Sequence, residues 1–93
     1  MHRRELYLTS ISHKKSKVMI DIKELMGLIS SFVLRCDDCV FYHLIRCKEL
    51  GITNQELEET LAIGLTVGGS ITIPHLRKTF HAWEELKSES KSE

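Results

Sequence analysis

Apolar residues recur at helical spacing through the middle and the end of the chain. From residue 20 onward they return every three or four positions, which places them on one face of a helix. The pattern predicts a helix from about Ile20 to Leu34, a second from about Cys36 to Leu50, and two more after residue 53. The only strand-like stretch is the short run at residues 71–73. We therefore expect an all-α fold built on an antiparallel helical hairpin.

Local signals mark the expected helix ends. Asp21 opens a segment with the spacing of a capping box, so it is the predicted N-cap of the first hairpin helix. Gly51 follows the second helix, where a left-handed residue is favoured. Thr53 and Glu56 form a second capping box that opens the third helix. Pro74 suits the first turn of the fourth helix.

The two ends of the chain carry weaker signals. Residues 1–18 show little periodicity and are expected to form an N-terminal arm or a short helix. Residues 19–87 hold the helical pattern and are expected to form a single domain. Residues 88–93 are polar and repetitive, which favours a disordered tail.

Composition narrows the possible partners. The chain has 93 residues, of which 42% are hydrophobic, and its formal charge is zero. So small a domain leaves apolar surface that is hard to bury within one subunit, and we expect an oligomer. A neutral chain lacks the clustered basic excess of a nucleic-acid-binding protein.

Hydropathy bears on location. The chain has no apolar run of about 18 residues, so no membrane span is expected. The charged N-terminus is not followed by the apolar core of a signal peptide. A cytoplasmic, reducing location is the resulting expectation. In that compartment a Cys-x-x-Cys pair indicates redox activity or metal binding rather than a structural disulfide.

The segment Cys36-Asp37-Asp38-Cys39-Val40-Phe41-Tyr42-His43 carries the most reactive side chains. Spacings of three and four residues bring two thiols and an imidazole to one face of the predicted helix. Cys36 is near the helix N-terminus, where free N–H groups stabilise a thiolate, and Cys39 is close enough for a disulfide. His43 can accept a proton from the Cys39 thiol, directly or through water.

Glu24 extends this group of residues. It precedes Cys36 by twelve positions and lies near the start of the preceding helix. If the two helices fold back antiparallel, a rise of about 1.5 Å per residue brings Glu24 level with His43 rather than with Cys36. A carboxylate there would orient the imidazole. The predicted proton relay runs from Glu24 through His43 to Cys39, with Cys36 as the disulfide partner.

Other interpretations of the motif involve a bound group. Cys36, Cys39, His43 and Cys47 share a helical face, but the first and last are roughly 16 Å apart along the axis, so all four cannot bind one zinc ion. A metal site formed by three of these residues and one ligand from elsewhere in the chain is an alternative. Attachment of c-type haem requires a histidine where Val40 stands, and a thioredoxin fold requires strands. We expect neither a metal nor a bound cofactor.

The remaining cysteine and histidines have weaker signals. Cys47 is interpreted as a buried structural cysteine, since cysteine is among the most buried residue types. Four histidines have no partner visible in the sequence and are expected at the surface: His2, His13, His75 and His81.

Taken together, these residues resemble the carboxymuconolactone decarboxylase and alkylhydroperoxidase D-like family. The resemblance covers roughly residues 20–86. The combined spacing of one glutamate, two cysteines and a histidine is specific, whereas Cys-x-x-Cys alone would not be. The matching positions are Lys23-Glu24-Leu25, Arg35-Cys36, Cys39, His43, Glu49-Leu50-Gly51-Ile52-Thr53, Glu56-Leu57 and Gly68-Gly69.

The resemblance implies an all-helical fold, a homotrimer or homohexamer, and disulfide-centred peroxidase chemistry. Carried over by position, Cys39 would attack peroxide and Cys36 would resolve the product as a disulfide. His43 and Glu24 would form the proton relay. An external dithiol, such as a reduced lipoyl group, would be the electron donor. The decarboxylase branch generally lacks the cysteine pair, which makes it the weaker match.

Two departures from the family pattern leave alternatives open. The better-studied peroxidases carry a histidine directly before the second cysteine, where this chain has Asp38. A carboxylate beside Cys39 disfavours its thiolate. The chain also has room for one core repeat rather than two, so protomers would build the pocket between them. The alternatives are a non-catalytic oligomeric redox-sensing module and a lyase that uses Glu24 and His43 as acid and base.

Overall fold

Helices make up most of the chain in the computed structural model, which describes residues 3–13 and 19–91. The helices are α1 (Arg3–His13), α2 (Ile20–Val33), α3 (Asp37–Glu49), α4 (Asn54–Gly68) and α5 (Ile73–Lys91), with a short 3₁₀ turn at Ser70–Thr72 between the last two. Neither described segment contains a strand. The predicted all-α class is therefore confirmed.

Two similar corners join the central helices. After α2, the backbone N–H of Arg35 donates to Phe32 O and that of Cys36 donates to Ser31 O, both at 3.0 Å. After α3, Gly51 and Ile52 repeat this pattern of a Schellman motif. The motif requires a positive φ, which is 77° at Gly51 and 60° at Arg35. Glycine adopts this conformation freely, whereas Arg35 holds it at some energetic cost.

The helix N-termini follow the predictions in one case and depart from them in another. Thr53 Oγ1 accepts the Glu56 N–H at 3.1 Å, and Glu56 Oε1 accepts the Thr53 N–H at 2.9 Å, so the predicted capping box of α4 is confirmed. The prediction that Asp21 caps α2 is wrong, since Met19 occupies that position without a side-chain cap. Asp21 lies in the first turn instead. A carboxylate is also favourable in the first turn because of the helix dipole. An aspartate near a helix start is therefore compatible with either the N-cap or the first turn.

The chain ends also differ from expectation. Helix α5 continues through Lys91, so the predicted disorder is wrong for residues 88–91. A polar segment can extend a helix whose earlier turns are already held by packing, because propagation is far easier than nucleation. Residues 92–93 lie outside the described part. At the other end, α1 corresponds to the short helix that the sequence allowed, while residues 1–2 and 14–18 are not described.

The core forms where α2, α3, α4 and α5 meet. Its members are buried apolar side chains, led by Leu28, Phe32, Leu44, Cys47, Leu57, Leu61 and Trp83. Helix α2 packs against both α3 and α4, and α5 packs against α3. This places one face of α3 against α2 and another against α5. Within the described helices, none is long and apolar enough to cross a bilayer.

Candidate active site

The two motif cysteines lie at the start of α3. Cys36 is the N-cap, with extended backbone angles of φ −93° and ψ 92°, and its sulfur accepts the Cys39 backbone N–H at 3.4 Å. The two sulfurs are at disulfide-bonding distance, and the Cα atoms are 5.3 Å apart. That separation is within the range of ordinary disulfides. Cys36 is half-buried and Cys39 is exposed, so the pair is accessible to a reagent in solution.

The short connection between α2 and α3 fixes the position of Cys36. Only Leu34, Arg35 and Cys36 separate the two helices. The backbone N–H of Cys36 is the last donor of the corner that Arg35 forms, so the residue with the positive φ directly precedes the first motif cysteine. Strained backbone is frequently found beside functional groups.

Glu24 and His43 meet across α2 and α3. The distance from His43 Nδ1 to Glu24 Oε2 is 3.0 Å, and their side chains are 23% and 17% exposed. The predicted contact between these residues is confirmed. Since a carboxylate oxygen accepts, Nδ1 carries the hydrogen of this bond in the corresponding tautomer, and Nε2 is left as the basic nitrogen.

Gly27 completes the surroundings of the His43 ring. A Cβ added at Gly27 would lie 2.8 Å from both ring nitrogens of His43, closer than side chains approach. The Tyr42 ring contacts the imidazole edge-on, with 5.1 Å between ring centroids. Sequence reasoning missed Gly27 as a residue of the site. The available signal was a glycine in the interior of a predicted helix, where it is unfavourable without a packing reason.

Arg46 is a second residue that sequence reasoning missed. Its Nε lies 3.7 Å from Glu24 Oε1, while its Nη1 bonds Glu49 Oε1 at 2.8 Å. The two oxygens of Glu24 therefore face an imidazole and a guanidinium. The sequence feature that could have revealed Arg46 is its spacing of three residues from His43, which places both side chains on one face of α3.

His75 was predicted to lie at the surface without a partner, and this is wrong. Its Nδ1 is 2.8 Å from Asp37 Oδ1, and Lys78 Nζ donates to Asp37 Oδ2 at 3.3 Å. The bond to His75 holds the pKa of the Asp37 carboxyl below its ordinary value, with Lys78 contributing in the same direction. These contacts join α5 to the first turn of α3.

The other histidines add little to the site. His81 Nε2 pairs with Glu85 Oε1 at 2.9 Å on the same helix, so it too has a partner that was not predicted. Its side chain is 75% exposed, as a surface residue should be. His2 and the side chain of His13 lie outside the described part of the chain.

Cys47 is separate from the Cys36–Cys39 pair. Its side chain is fully buried in the core. Burial raises the pKa of its thiol to about 12, and the negative charges of Glu24 and Asp21 act in the same direction. A thiol in this environment is unreactive at neutral pH. Among residues 3–13 and 19–91, no three His, Cys, Asp or Glu side chains converge as metal ligands would.

The fold and the site define an all-helical protein with a helix-borne cysteine pair beside a glutamate–histidine pair. Residues 15–85 match the carboxymuconolactone decarboxylase family, and the chain belongs to that family. It is also 35% identical over 67 residues to an uncharacterised protein of Cupriavidus necator. That match covers 72% of this chain and 59% of the relative, so the chain spans less than two thirds of the relative's length.

Solved structures from Thermotoga maritima are similar over nearly the whole chain. One is a carboxymuconolactone decarboxylase family protein for which a role in an antioxidative response has been suggested. It is 47% identical, with a TM-score of 0.85, over 98% of this chain and 94% of the other. A second crystal structure from that organism gives the same identity and TM-score over 98% of this chain and 80% of the other.

Proposed function

We propose that this protein is a thiol-dependent peroxidase and disulfide oxidoreductase. The observation that carries the proposal is the accessible Cys36–Cys39 pair at the N-terminus of the same helix that presents His43 to Glu24. The role suggested for the similar Thermotoga maritima protein is consistent with this chemistry. The reaction needs no bound cofactor.

The first step uses Cys39 as the nucleophile. His43 accepts the Cys39 thiol proton through Nε2, directly or through one water, while Glu24 holds the ring through Nδ1. The Cys39 thiolate then attacks the outer oxygen of a hydroperoxide, and the O–O bond breaks. Cys39 is oxidised to a sulfenic acid, and the leaving alkoxide takes a proton from His43 to become an alcohol.

The second step regenerates the disulfide. The Cys36 thiol attacks the Cys39 sulfenic sulfur, a sulfur–sulfur bond forms, and the hydroxyl leaves as water with the Cys36 proton. The Cα separation of 5.3 Å allows this closure without moving α3. An external dithiol, of which a reduced lipoyl group is one form, returns both cysteines to thiols and is itself oxidised to a disulfide. We assign this cycle to the cytoplasm, where such dithiols are kept reduced.

Self-association is part of the proposal. Large apolar side chains stay exposed on three of the central helices: Ile22 and Met26 on α2, Phe41 and Tyr42 on α3, and Ile63 and Val67 on α4. So many exposed large apolar side chains on a small protein favour an interface. We propose a homotrimer or homohexamer that covers this surface, with Tyr42 placing the His43 side of α3 near the interface. Light scattering after size-exclusion chromatography measures the subunit number, and a monomer would contradict this part.

Peroxide consumption by single variants tests the activity. With a dithiol as reductant, Cys39→Ser is expected to abolish turnover, and Cys36→Ser to stop it after one equivalent of peroxide. Glu24→Gln and His43→Gln should each slow the first step by about a hundredfold, the usual contribution of a general base. Cys47→Ala is the matched control, since its buried thiol has no role in the cycle.

The outcomes separate the proposal from its alternatives. Unchanged consumption by Cys39→Ser would sink the peroxidase function. Formation of the disulfide without turnover, accompanied by a redox-dependent change in assembly, would favour a redox-sensing module. Reduced thiols that do not react, with a lactone substrate consumed in a Glu24-dependent manner, would favour a lyase.

A further inference from the structure

The Asp37 carboxylate lies between the two cysteines in the sequence and is held from the opposite helix. His75 and Lys78, one turn apart on α5, contact its two oxygens at 2.8 and 3.3 Å. Asp38 follows directly on α3, so the first turn of this helix carries two carboxylates beside the dithiol. Of the described residues, His75 and Lys78 are those whose contacts lower the pKa of the Asp37 carboxyl.

An unopposed carboxylate at this point would work against the proposed chemistry. A nearby negative charge disfavours a thiolate, and the thiolate is the reactive form of cysteine. The free N–H groups of the α3 N-terminus act in the opposite direction. The hydrogen bond with His75 and the positive charge of Lys78 both offset the Asp37 carboxylate, which shifts this balance toward the thiolate.

We propose that His75 and Lys78 are positioning residues that set the reactivity of the Cys36–Cys39 dithiol by holding the Asp37 carboxylate and offsetting its charge. Their hydrogen bonds go to Asp37. They act through Asp37, whose main chain is continuous with the N-cap residue Cys36. The lowered pKa of the Asp37 carboxyl, caused chiefly by its bond to His75, agrees with this geometry. The inference rests on the proposed function only in taking the cysteine pair as the reactive group.

Alkylation of the reduced protein by iodoacetamide tests this proposal without any peroxide. The rates at Cys36 and Cys39 are followed by mass spectrometry across a pH series. His75→Gln and Lys78→Gln are each expected to slow alkylation roughly threefold at neutral pH, because each leaves the screened charge of the Asp37 carboxylate less opposed. The rate at high pH, where the thiolate is fully formed, should not change. High salt should reduce the difference from wild type.

Asp37→Asn provides the decisive comparison. This variant should react at least as fast as wild type, and adding His75→Gln or Lys78→Gln to it should have no further effect. The matched control is His81→Gln, the same substitution on α5 at a histidine that pairs with Glu85 rather than with α3. Its alkylation rates should equal those of wild type.

Several results would overturn the proposal. It fails if the His75 and Lys78 variants react as wild type does, if they slow alkylation equally in the Asp37→Asn background, or if only the high-pH rate falls. Lys78 is 66% exposed, so its variant folds even if the His75 variant does not. Since no peroxide is used, a failure of the peroxidase function leaves the alkylation result intact.

Discussion

The imidazole of His43 lies against the backbone of Gly27, which leaves no room for a side chain on that residue. Gly27→Ala should therefore displace the ring from Glu24 and lower peroxide turnover at least tenfold. The substitution also raises helix propensity by about 1 kcal/mol, so thermal stability should fall little or even rise. Steady-state peroxidase assays together with thermal denaturation check both effects.

Ser30→Ala is the control for Gly27→Ala, since it alters an exposed position on the same helix. It should leave turnover unchanged. Full activity in Gly27→Ala would show that the placement of His43 beside Glu24 is not needed.

Arg46 should assist Glu24 without being essential. Its guanidinium lies 3.7 Å from the carboxylate oxygen that does not bond His43. Arg46→Met is expected to lower turnover several-fold, and Arg46→Lys, which keeps the charge, should recover part of the loss. Glu49→Gln, which alters the other partner of Arg46, should have little effect. An Arg46→Met variant as slow as Glu24→Gln would instead indicate that Arg46 acts directly in the chemistry.

Arg35 should tolerate glycine. Its φ of 60° is unfavourable for a side chain and ordinary for glycine. Arg35→Gly is expected to raise the free energy of unfolding by at most about 1 kcal/mol. Glycine removes the backbone strain at this position, but it also makes the unfolded chain more flexible, which offsets part of the gain. Denaturant titration measures this. Gly51→Ala, at the matching corner, should destabilise, and a stabilised Gly51→Ala would contradict the argument.

The three thiols should divide into two classes. Since burial raises the pKa of Cys47 to about 12, its thiol stays protonated at neutral pH. A native, reduced sample is expected to alkylate at Cys36 and Cys39 and to modify Cys47 only after denaturant is added. Peptide mapping with and without denaturant measures the distribution. Alkylation of Cys47 in the native state at a rate like that of Cys39 would mean that the core opens readily.

The α4 capping box should contribute to stability in a pH-dependent way. Thr53→Ala is expected to cost about 1 kcal/mol at neutral pH, whereas Thr66→Ala, in the same helix, should be nearly neutral. The bonds from Thr53 lower the pKa of Glu56 from its ordinary 4.5. The stabilisation by the Glu56 carboxylate is therefore complete above pH 4.5, the ordinary pKa. It is lost as the pH falls through the lowered pKa that Glu56 has in the folded state. Glu56→Ala should differ most from wild type at neutral pH, and denaturant titrations at neutral and acidic pH test this.

The sequence by itself determined the helices and one contact of the site. Helical periodicity and the Thr53 capping box depend on interactions within a few residues, which a sequence displays directly. The contact of Glu24 with His43 was also predictable. A three-residue connection makes neighbouring helices antiparallel, and the rise per residue then fixes which turns face each other.

Only the tertiary structure decided the remaining neighbours. Asp37 and His75 are 38 positions apart, and Asn54 accepts the indole N–H of Trp83 across 29 positions. Such pairs depend on how the surfaces of distant helices interlock, and the sequence of each helix shows only its own apolar face. Gly27 and Arg46 were visible as residue types, but packing of α2 on α3 gave them their partners. The sequence therefore determined the reactive groups, and the packing of distant helices determined their surroundings.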